Sequence, residues 1–507
     1  MRRGVLPVIA LSLMTVVSAV SGLNVALPEL ARDTGATQTQ LTWIVDAYTV
    51  VFAGLLMFAG AVGDRFGRKG LLMAGLAVFG SAAGLAMTTN DPGTLIGLRA
   101  MMGVGAAAIM PTTLSVITTS FDPEERPRAI GVWVGVAGGG AVIGLFGTGV
   151  LLEFFSWNSF FGLNVALAVL ALVGTAAVVP GSVDEHPARL DVVGAALSLV
   201  TVGALVFGII EGPSRGWTDA LTVTALVVGV LAGAALAVWE LRAADPMLDP
   251  RLFRVPGFSA GSLTVMVQFF ASFGLFFIVL QYLQFVVGFS PLRAALALLP
   301  LPFVLIPLAR NAPRLARRIG FGRVAPFGLL LTTAGLLVIS RVTVDLDYWV
   351  LAVGLVVFAA GMGLAGTPAT TAITESLPEA KQGVASAVND TSRELGSALG
   401  IAILGSALDS GYRSGTASLV HGLPAPAAEH VQSSIAFTQS GQLDRLGPAA
   451  QHVVQTAEQA FVDGSSTALV VAAVIVAVTA VVVALVGRSV GRSAPSVVPE
   501  PQGAAQR

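Results

Sequence analysis

The sequence lacks cysteine and carries little charge. None of its 507 residues is a cysteine, which excludes disulfides, thiolate metal sites and a cysteine nucleophile. Only 11% of the residues are Asp, Glu, Lys or Arg, against about 25% in a typical soluble domain. So few charged groups cannot cover a surface that faces water on all sides. The composition therefore excludes an ordinary soluble fold.

A strong net charge of either sign is also missing. The formal net charge is −1 and the isoelectric point is near 6.4, so no basic field attracts nucleic acid. The four histidines fall in predicted loops and form no metal-binding cluster. No phosphate-binding glycine-rich loop is present, which argues against ATP as the energy source. We therefore expect no metal, no cofactor and no nucleic-acid partner, and no residue pattern indicates an enzyme.

Apolar residues are abundant instead. They make up 55% of the chain, and the mean hydropathy of +0.83 is too high for one globular core to hide. A helix crosses a bilayer core of about 30 Å with about 20 apolar residues. Windows of that length predict fourteen spans, at 5–28, 42–62, 71–88, 94–118, 129–152, 159–179, 192–211, 220–240, 258–287, 292–309, 324–341, 348–374, 384–408 and 465–487. The predicted fold class is an all-α polytopic membrane protein, with the lipid bilayer as its surroundings.

The basic residues predict the orientation of these spans. With both termini cytoplasmic, the cytoplasmic segments hold 20 of the 28 Lys and Arg residues and the outer segments hold six. The last outer segment, 409–463, is long and becomes helical in its second part, where Val453, Ala457 and Phe461 recur at helical spacing. It is expected either to rest on the membrane or the outer mouth, or to be a solvated hairpin without function. The Ser- and Pro-rich tail at 488–507 is expected to be disordered and cytoplasmic.

The loop after the second predicted span contains a pattern of glycines and charges. Residues 60–69 read GAVGDRFGRK, in which glycines permit a tight turn and Asp64 can form a charge cluster with Arg65 and Arg68. The pattern resembles the G-x-x-x-D-R-x-G-R-K signature of the major facilitator superfamily, which that family carries between its second and third helices. The resemblance assigns a conformational role to Gly60, Gly63, Asp64, Arg65, Gly67, Arg68 and Lys69.

Further stretches resemble the fourteen-helix drug:proton antiporters of that superfamily, which include exporters of quaternary ammonium compounds and antibiotics. These stretches are 24–28, 43–48, 110–115 and 389–400. The resemblance implies the major facilitator fold in a 6+2+6 arrangement with alternating access. Its parts are a six-helix bundle at 1–180, two inserted helices at 181–256 and a second six-helix bundle at 257–487.

Two positions depart from the family pattern. Ala19 stands where family exporters commonly carry an Asp, and Leu145 replaces the Pro of the fifth-helix antiporter motif. The leading expectation is a monomer in the bacterial plasma membrane that exports lipophilic or cationic drugs, or an antibiotic-like metabolite, in exchange for protons. The departures leave open a uniporter or a differently coupled carrier. A non-transporting membrane scaffold is the alternative from another class.

Ionisable residues inside a membrane span are costly, so each is a functional candidate. Asp46 and Arg99 lie at matching depths of about 7–8 Å in their spans and are expected to face one space and pair or share a proton. Asp390, Arg393 and Glu394 fall on one helix face, where one acid can be ionised while the other holds a proton. These five are the candidate proton-coupling residues. The structural alternatives are interfacial solvation of Asp46, a backbone clamp by Arg99 and an intrahelical salt bridge at Arg393.

The ninth predicted span supplies the candidate substrate contacts. Gln268, Gln281 and Gln284 offer polar handles, and the last two share a helix face at i, i+3. Phe269 and Phe273 offer aromatic faces for stacking or cation–π contact with a flat or cationic drug. The alternative for any single Phe is simple packing or contact with lipid.

Overall fold

The protein folds as a bundle of helices. The computed structural model describes residues 4–122, 124–183, 190–243, 246–377, 382–423, 425–439 and 448–487. These residues contain no β-strand. A helix satisfies its backbone hydrogen bonds internally, which lipid cannot do for it. The tail predicted at 488–507 lies outside the described residues.

The described residues form eighteen α-helices. The first seven are α1 (Val5–Ser21), α2 (Leu23–Thr34), α3 (Gln38–Phe66), α4 (Arg68–Ala86), α5 (Pro92–Ser120), α6 (Arg126–Phe154) and α7 (Asn158–Val178). Next come α8 (Val192–Arg215), α9 (Ala220–Arg242), a 3₁₀ turn (Pro250–Arg254), α10 (Pro256–Gln281) and a π-helical segment (Tyr282–Val286). The rest are α11 (Pro291–Ala297), α12 (Pro300–Ile319), α13 (Phe321–Ile339), α14 (Tyr348–Glu375), α15 (Gln382–Thr416), a 3₁₀ turn (Ala417–Gly422), α16 (Ala425–Ser433), α17 (Ile435–Thr438) and α18 (Pro448–Gly487).

The all-helical membrane architecture predicted from composition is confirmed. Eleven helices in the described part of the chain are long and apolar enough to cross a bilayer, with α11 and α12 taken as one, or twelve when the bent pair α1 and α2 counts as a further span. Helices α6 and α15 occupy the positions of the fifth and thirteenth predicted spans and are not among these twelve.

The first predicted span is broken at Gly22, where α1 and α2 meet at 50°. Pro28 has no backbone N–H, and its ring crowds the carbonyl four residues earlier. Asn24 Nδ2 donates to the Val20 carbonyl at 3.2 Å within the bend. A Cβ added at Gly22 would collide with Thr148 of α6. The glycine at the bend therefore allows close contact with α6, and Pro28 lies within α2 beyond the bend.

The helices form two groups joined by an inserted pair. In the first helix group, α1–α7, α5 packs on α3 and α4, and α1 packs on α6 and α7. In the second helix group, α10–α18, α10 packs on α14, α15 and α18, and α14 packs on α12 and α13. Helix α8 pairs with α9 and also lies across α3 and α15, one helix from each group.

Hydrogen bonds hold the two groups together at one end, which we call the closed end. Among the described residues, every side-chain hydrogen bond between the groups lies there. They run from Gln284 Nε2 to Val25 O (3.0 Å), Thr39 Oγ1 to Asp409 Oδ2 (3.1 Å), Ser434 Oγ to Ala36 O (3.1 Å), Arg32 Nη2 to Gln284 O (3.1 Å), and Arg32 Nε and Nη2 to Gln439 Oε1 (3.3 and 3.0 Å). The motif at 60–69 lies at the opposite end of α3, which we call the motif end. Its residues are helical except Gly67, so the predicted loop is a single-residue break between α3 and α4.

The described part of segment 409–463 is folded onto the closed end. Val453, Ala457 and Phe461 are buried on α18, at most 4% exposed. Tyr412 Oη donates to the Val431 carbonyl at 2.8 Å, which ties α15 to α16. The segment is therefore a packed cap over this end, and a solvated hairpin does not describe it.

Glycines set the distance between α10 and α15. A Cβ added at Gly396 or Gly400 would collide with the carbonyl oxygens of Met266 and Phe270.

We expect Gly400→Val to destabilise the protein by about 1–3 kcal/mol, because the two helices must separate to admit the side chain. The melting temperature of the purified protein in detergent measures this effect. Gly97→Ala is the matched control, since a Cβ there meets nothing within 4 Å, and an equal loss in both variants would contradict the prediction.

Candidate functional site

The glycine-rich motif forms a compact turn at the motif end. Gly67 has a φ of +115°, a backbone conformation that favours glycine, and it separates α3 from α4. Arg68 Nε and Nη2 each contact Asp64 Oδ1 at 2.8 Å, and Lys69 Nζ donates to the Ala176 carbonyl in the last turn of α7 at 2.9 Å. Cationic side chains are favourable at such a helix C-terminus. The motif thus binds α3, α4 and α7 into one unit.

Arg65 does not join this charge cluster, contrary to expectation. Its guanidinium carbon lies 5.9 Å from the Phe66 ring centroid, and its side chain is exposed. Asp64 and Arg68 are spaced i, i+4 and share a face, whereas consecutive residues do not. Of the other motif glycines, Gly63 is buried, with Leu71 3.1 Å from an added Cβ, and Gly60 has Pro111 at an ordinary 3.5 Å.

The expected pair between Asp46 and Arg99 is not formed in the described structure. Arg99 Nε donates to the Ile44 carbonyl at 2.9 Å, and its guanidinium carbon lies 4.3 Å from the Tyr48 ring centroid. Ile44 and Tyr48 are four residues apart and share the face of α3 that meets α5. Asp46 lies two residues from each and so points to the other side of the helix. Arg99 is fully buried as a clamp between α3 and α5, the structural alternative named above.

Asp46 faces a different set of neighbours. Helix α3 begins at Gln38, so Asp46 lies eight residues, or about 12 Å, from the start of the helix. It is fully buried, and Thr49 Oγ1 donates to its Oδ1 at 2.9 Å. Its Oδ2 has no hydrogen-bond partner among the described residues. Val50, four residues on, packs against α8 and α15, so Asp46 lies on the side of α3 that these two helices cover.

Three ionisable residues in the first part of α15 are brought together. Arg393 Nη1 lies 3.8 Å from Asp390 Oδ1, and Asn389 Nδ2 donates to the same oxygen at 3.4 Å. Glu394 is close enough to Arg393 and Asp390 to interact electrostatically with both. We call Asp390, Arg393 and Glu394 the α15 charge triad. Two carboxyl groups share one guanidinium there, so the triad can hold either a second cation or a proton.

An aromatic stripe on α10 faces the triad. Arg393 Cζ lies 4.6 Å from the Phe269 ring centroid. Phe269 and Phe273 stack with centroids 6.0 Å apart, and Phe276 lies edge-on to Phe273 at 6.4 Å. These three phenylalanines are half-buried and recur at i, i+4 and i+7, whereas their neighbours on α10 are mostly buried. Met57 of α3 packs in the same cluster as Phe269, which places the stripe between the two helix groups.

The three candidate glutamines do not face this stripe. Gln268 Nε2 donates to the Met362 carbonyl of α14 at 3.2 Å, and Gln281 Nε2 donates to the Phe277 carbonyl of its own helix at 2.9 Å. Gln284 joins the two groups at the closed end, as described above. All three are buried. The π-helical segment that begins at Tyr282 also changes the rotation per residue, so the i, i+3 spacing of the last two does not make a shared face.

Sequence reasoning missed two acidic contacts. Glu211 of α8 accepts a hydrogen bond from Trp43 Nε1 at 2.9 Å, and Asp409 of α15 accepts one from Thr39 of α3. Both acids lie at the ends of predicted spans, where a charge is unremarkable. The nearby Trp43 is the available signal, because a buried indole N–H requires an acceptor.

Comparison with known proteins identifies the family. The family model described as Major Facilitator Superfamily matches residues 9–401. The chain belongs to the major facilitator superfamily. It is 33% identical over 469 residues to the multidrug efflux pump LfrA of Mycolicibacterium smegmatis, covering 92% of this chain and 93% of that protein. It is 35% identical over 408 residues to the puromycin resistance protein pur8 of Streptomyces alboniger, covering 79% and 80%.

A solved structure shows the same fold. The bacterial homologue of the human lysosomal transporter Spinster, in its inward-facing and unoccupied conformation, aligns with a TM-score of 0.65 and 16% identity over 97% of this chain and 98% of that one. The superfamily membership and the apolar helices make the chain a multi-pass plasma-membrane protein of a transporter family, not an enzyme.

The clamp around Arg99 predicts the effect of conservative changes. Arg99→Lys should destabilise the protein by about 1–3 kcal/mol, because an ammonium group cannot both stack flat on the Tyr48 ring and keep the hydrogen bond to Ile44. Tyr48→Phe keeps the ring and should cost less than Tyr48→Leu, which removes it. Melting temperatures in detergent measure these differences. Arg293→Lys, at an exposed position of α11, is the control, and a loss there as large as that of Arg99→Lys would refute the clamp.

Proposed function

We propose that this protein exports lipophilic cationic drugs, or an antibiotic-like metabolite, in exchange for protons. The observation that carries the proposal is the contact between the aromatic stripe of α10 and the α15 charge triad. Aromatic faces bind flat and cationic compounds, and the triad supplies the negative charge that such a ligand needs. The relative LfrA is named a multidrug efflux pump and the relative pur8 a puromycin resistance protein, and both names support a drug exporter.

The charges of the triad give a physical basis for exchange. With both carboxyl groups ionised, Asp390 and Glu394 outweigh the one positive charge of Arg393. A monovalent cation beside Phe273 then neutralises the site. A proton on Glu394 neutralises it equally well, so the cation and the proton compete for one negative charge. Because such coupling between two ligands is reciprocal, each proton that binds favours release of the drug.

The orientation and the movement follow the positive-inside distribution. We propose fourteen spans with both termini in the cytoplasm, which puts the motif end inside and the closed end outside. The two six-helix bundles, at 1–180 and 257–487, then rock about the stripe and the triad, with the inserted pair at 181–256 between them. The hydrogen bonds of the closed end must break each time the drug is released outside. We propose that one copy of the chain performs this cycle.

The second candidate is a uniporter or a differently coupled carrier. Ala19 is fully buried on α1, so the first helix offers no acid at the position where family exporters commonly carry one. Proton coupling in this chain then depends on α15. If α15 does not exchange protons, the same fold moves its substrate without them.

Loss of aromatic surface should weaken the binding of a cationic drug. Phe269→Leu and Phe273→Leu each remove one ring, and we expect ethidium efflux to fall about five- to tenfold because the lost contact is worth about 1 kcal/mol or more. Ethidium accumulation in cells that express each variant provides the measurement. Phe303→Leu is the matched control, since Phe303 is 73% exposed on α12. An equal effect in all three variants would place the site elsewhere.

The acids of α15 should control coupling. In cells that express the protein, we expect ethidium accumulation to fall, and a protonophore to restore it. Glu394→Gln should abolish the protonophore-sensitive part, because an amide cannot release a proton, and Asp390→Asn should weaken it. Membrane abundance of each variant is measured in parallel. Export that persists unchanged in the presence of the protonophore would favour the differently coupled carrier, because a uniporter cannot hold ethidium below its equilibrium level.

A further inference from the structure

The contact between α3 and α15 is a seam that α8 covers from outside. The two helices run antiparallel, with Thr39 opposite Asp409, and Thr42 2.9 Å from a Cβ added at Gly405. Helix α8 follows the same seam, with Trp43 bonded to Glu211 near the closed end. Nearer the motif end, Leu199 of α8 lies 2.9 Å from a Cβ added at Gly54.

Acidic side chains recur along this seam. Starting at the closed end, they are Asp409 on α15, Glu211 on α8, Asp46 on α3 and Glu394 on α15. The paired positions and a rise of about 1.5 Å per residue put Asp46 about 10 Å below Asp409, and Glu394 about 12 Å further. Hydroxyl groups occupy the intervals, at Thr39, Thr42, Thr49, Ser397 and Ser406. All of these hydroxyl residues are less than 10% exposed.

Two polar atoms of the seam lack a partner within the described structure. Asp46 Oδ2 and Ser406 Oγ are both buried and make no hydrogen bond to described residues. Asp46 is fully buried and Ser406 is 4% exposed. Buried polar atoms are costly unless something bonds to them, and ordered water is the usual partner. Because both atoms lie between α3 and α15, we expect ordered water molecules to bind them in the seam.

Glu211 lies where the seam reaches the closed end. Its side chain is 15% exposed, and Arg215 Nε contacts its Oε2 at 2.8 Å. The other charged groups on helices packed around this level are Asp409 and Arg413 of α15, which form a 3.1 Å pair, and Asp219, which caps α9. A carboxyl group held between solvent and the seam can take a proton from one and pass it to the other.

We propose that the seam of α3, α8 and α15 is a proton pathway from the closed end to Glu394, with Glu211 and Asp409 as its entry groups. The proposal rests on the proton exchange described above and adds its route. A proton from outside water binds a carboxylate at the entry, and that group returns a proton to the water inside the seam. Asp46 relays the proton and Glu394 receives it. The only bonds made or broken along the route are O–H bonds. The drug meanwhile contacts the stripe on α10, so the two ligands arrive by different routes.

Two assays on the full chain in liposomes test this route. Ethidium exchange without a pH gradient requires drug binding and movement of the helix groups but no net proton transfer. Ethidium transport driven by a pH gradient requires drug binding, movement of the helix groups and net proton transfer. We expect Glu211→Gln to lower gradient-driven transport about tenfold or more, the usual loss when a proton relay is removed, and to leave exchange within about twofold. The glutamine side chain still accepts the hydrogen bond from Trp43, so the contact between α3 and α8 survives.

Control variants separate the proton route from structure. Trp43→Phe removes the hydrogen bond and keeps the acid, so gradient-driven transport should persist. Asp33→Asn changes an exposed acid at the same end and should match the wild type in both assays. Equal loss in both assays for Glu211→Gln, or no loss at all, would overturn the pathway. Exchange without any gradient-driven transport in the wild type would instead overturn the proton exchange itself, and the pathway with it.

Discussion

The free-energy cost of charge in hydrocarbon governs this structure. The buried charges of Arg99, Asp46 and the α15 charge triad are held by specific partners or lie where the two helix groups meet. Arg99 illustrates the first solution, since a carbonyl oxygen and an aromatic face replace part of the water it has lost. The α15 charge triad illustrates the second, because it remains only half neutralised beside the aromatic stripe. The difference between these two environments separates a structural charge from one that is available for exchange.

Much of the architecture could be predicted from the sequence, because it depends on features that repeat over many residues. Span lengths follow from bilayer thickness, and the triad follows from i, i+3 and i+4 spacing on one helix. The turn at Gly67 likewise follows from local chemistry. A composition with 11% charged residues leaves few other folds open.

The predictions that failed concerned the direction in which a side chain points from its helix. Matching depth in two spans did not pair Asp46 with Arg99, because depth leaves the rotation of each helix undetermined. The presence of Ile44 and Tyr48 on one face of α3 would have given that rotation. The π-helical segment after Gln281 changed the facing of Gln284 in a way that no periodic pattern reveals. Inter-helix contacts depend on rotation and register, and a single sequence encodes these only indirectly.

Helix α8 is attached unequally to the two groups it touches. On α3 its Leu199 side chain fills the notch at Gly54, and its Glu211 accepts a hydrogen bond from Trp43. On α15 it meets the small side chains of Ala398 and Ala402, which offer a smooth surface with little to interlock. If the groups rock as proposed, α8 travels with α3 while α15 slides beneath it. The inserted pair then stays attached to the first helix group and keeps lipid out of the gap that opens between the two groups.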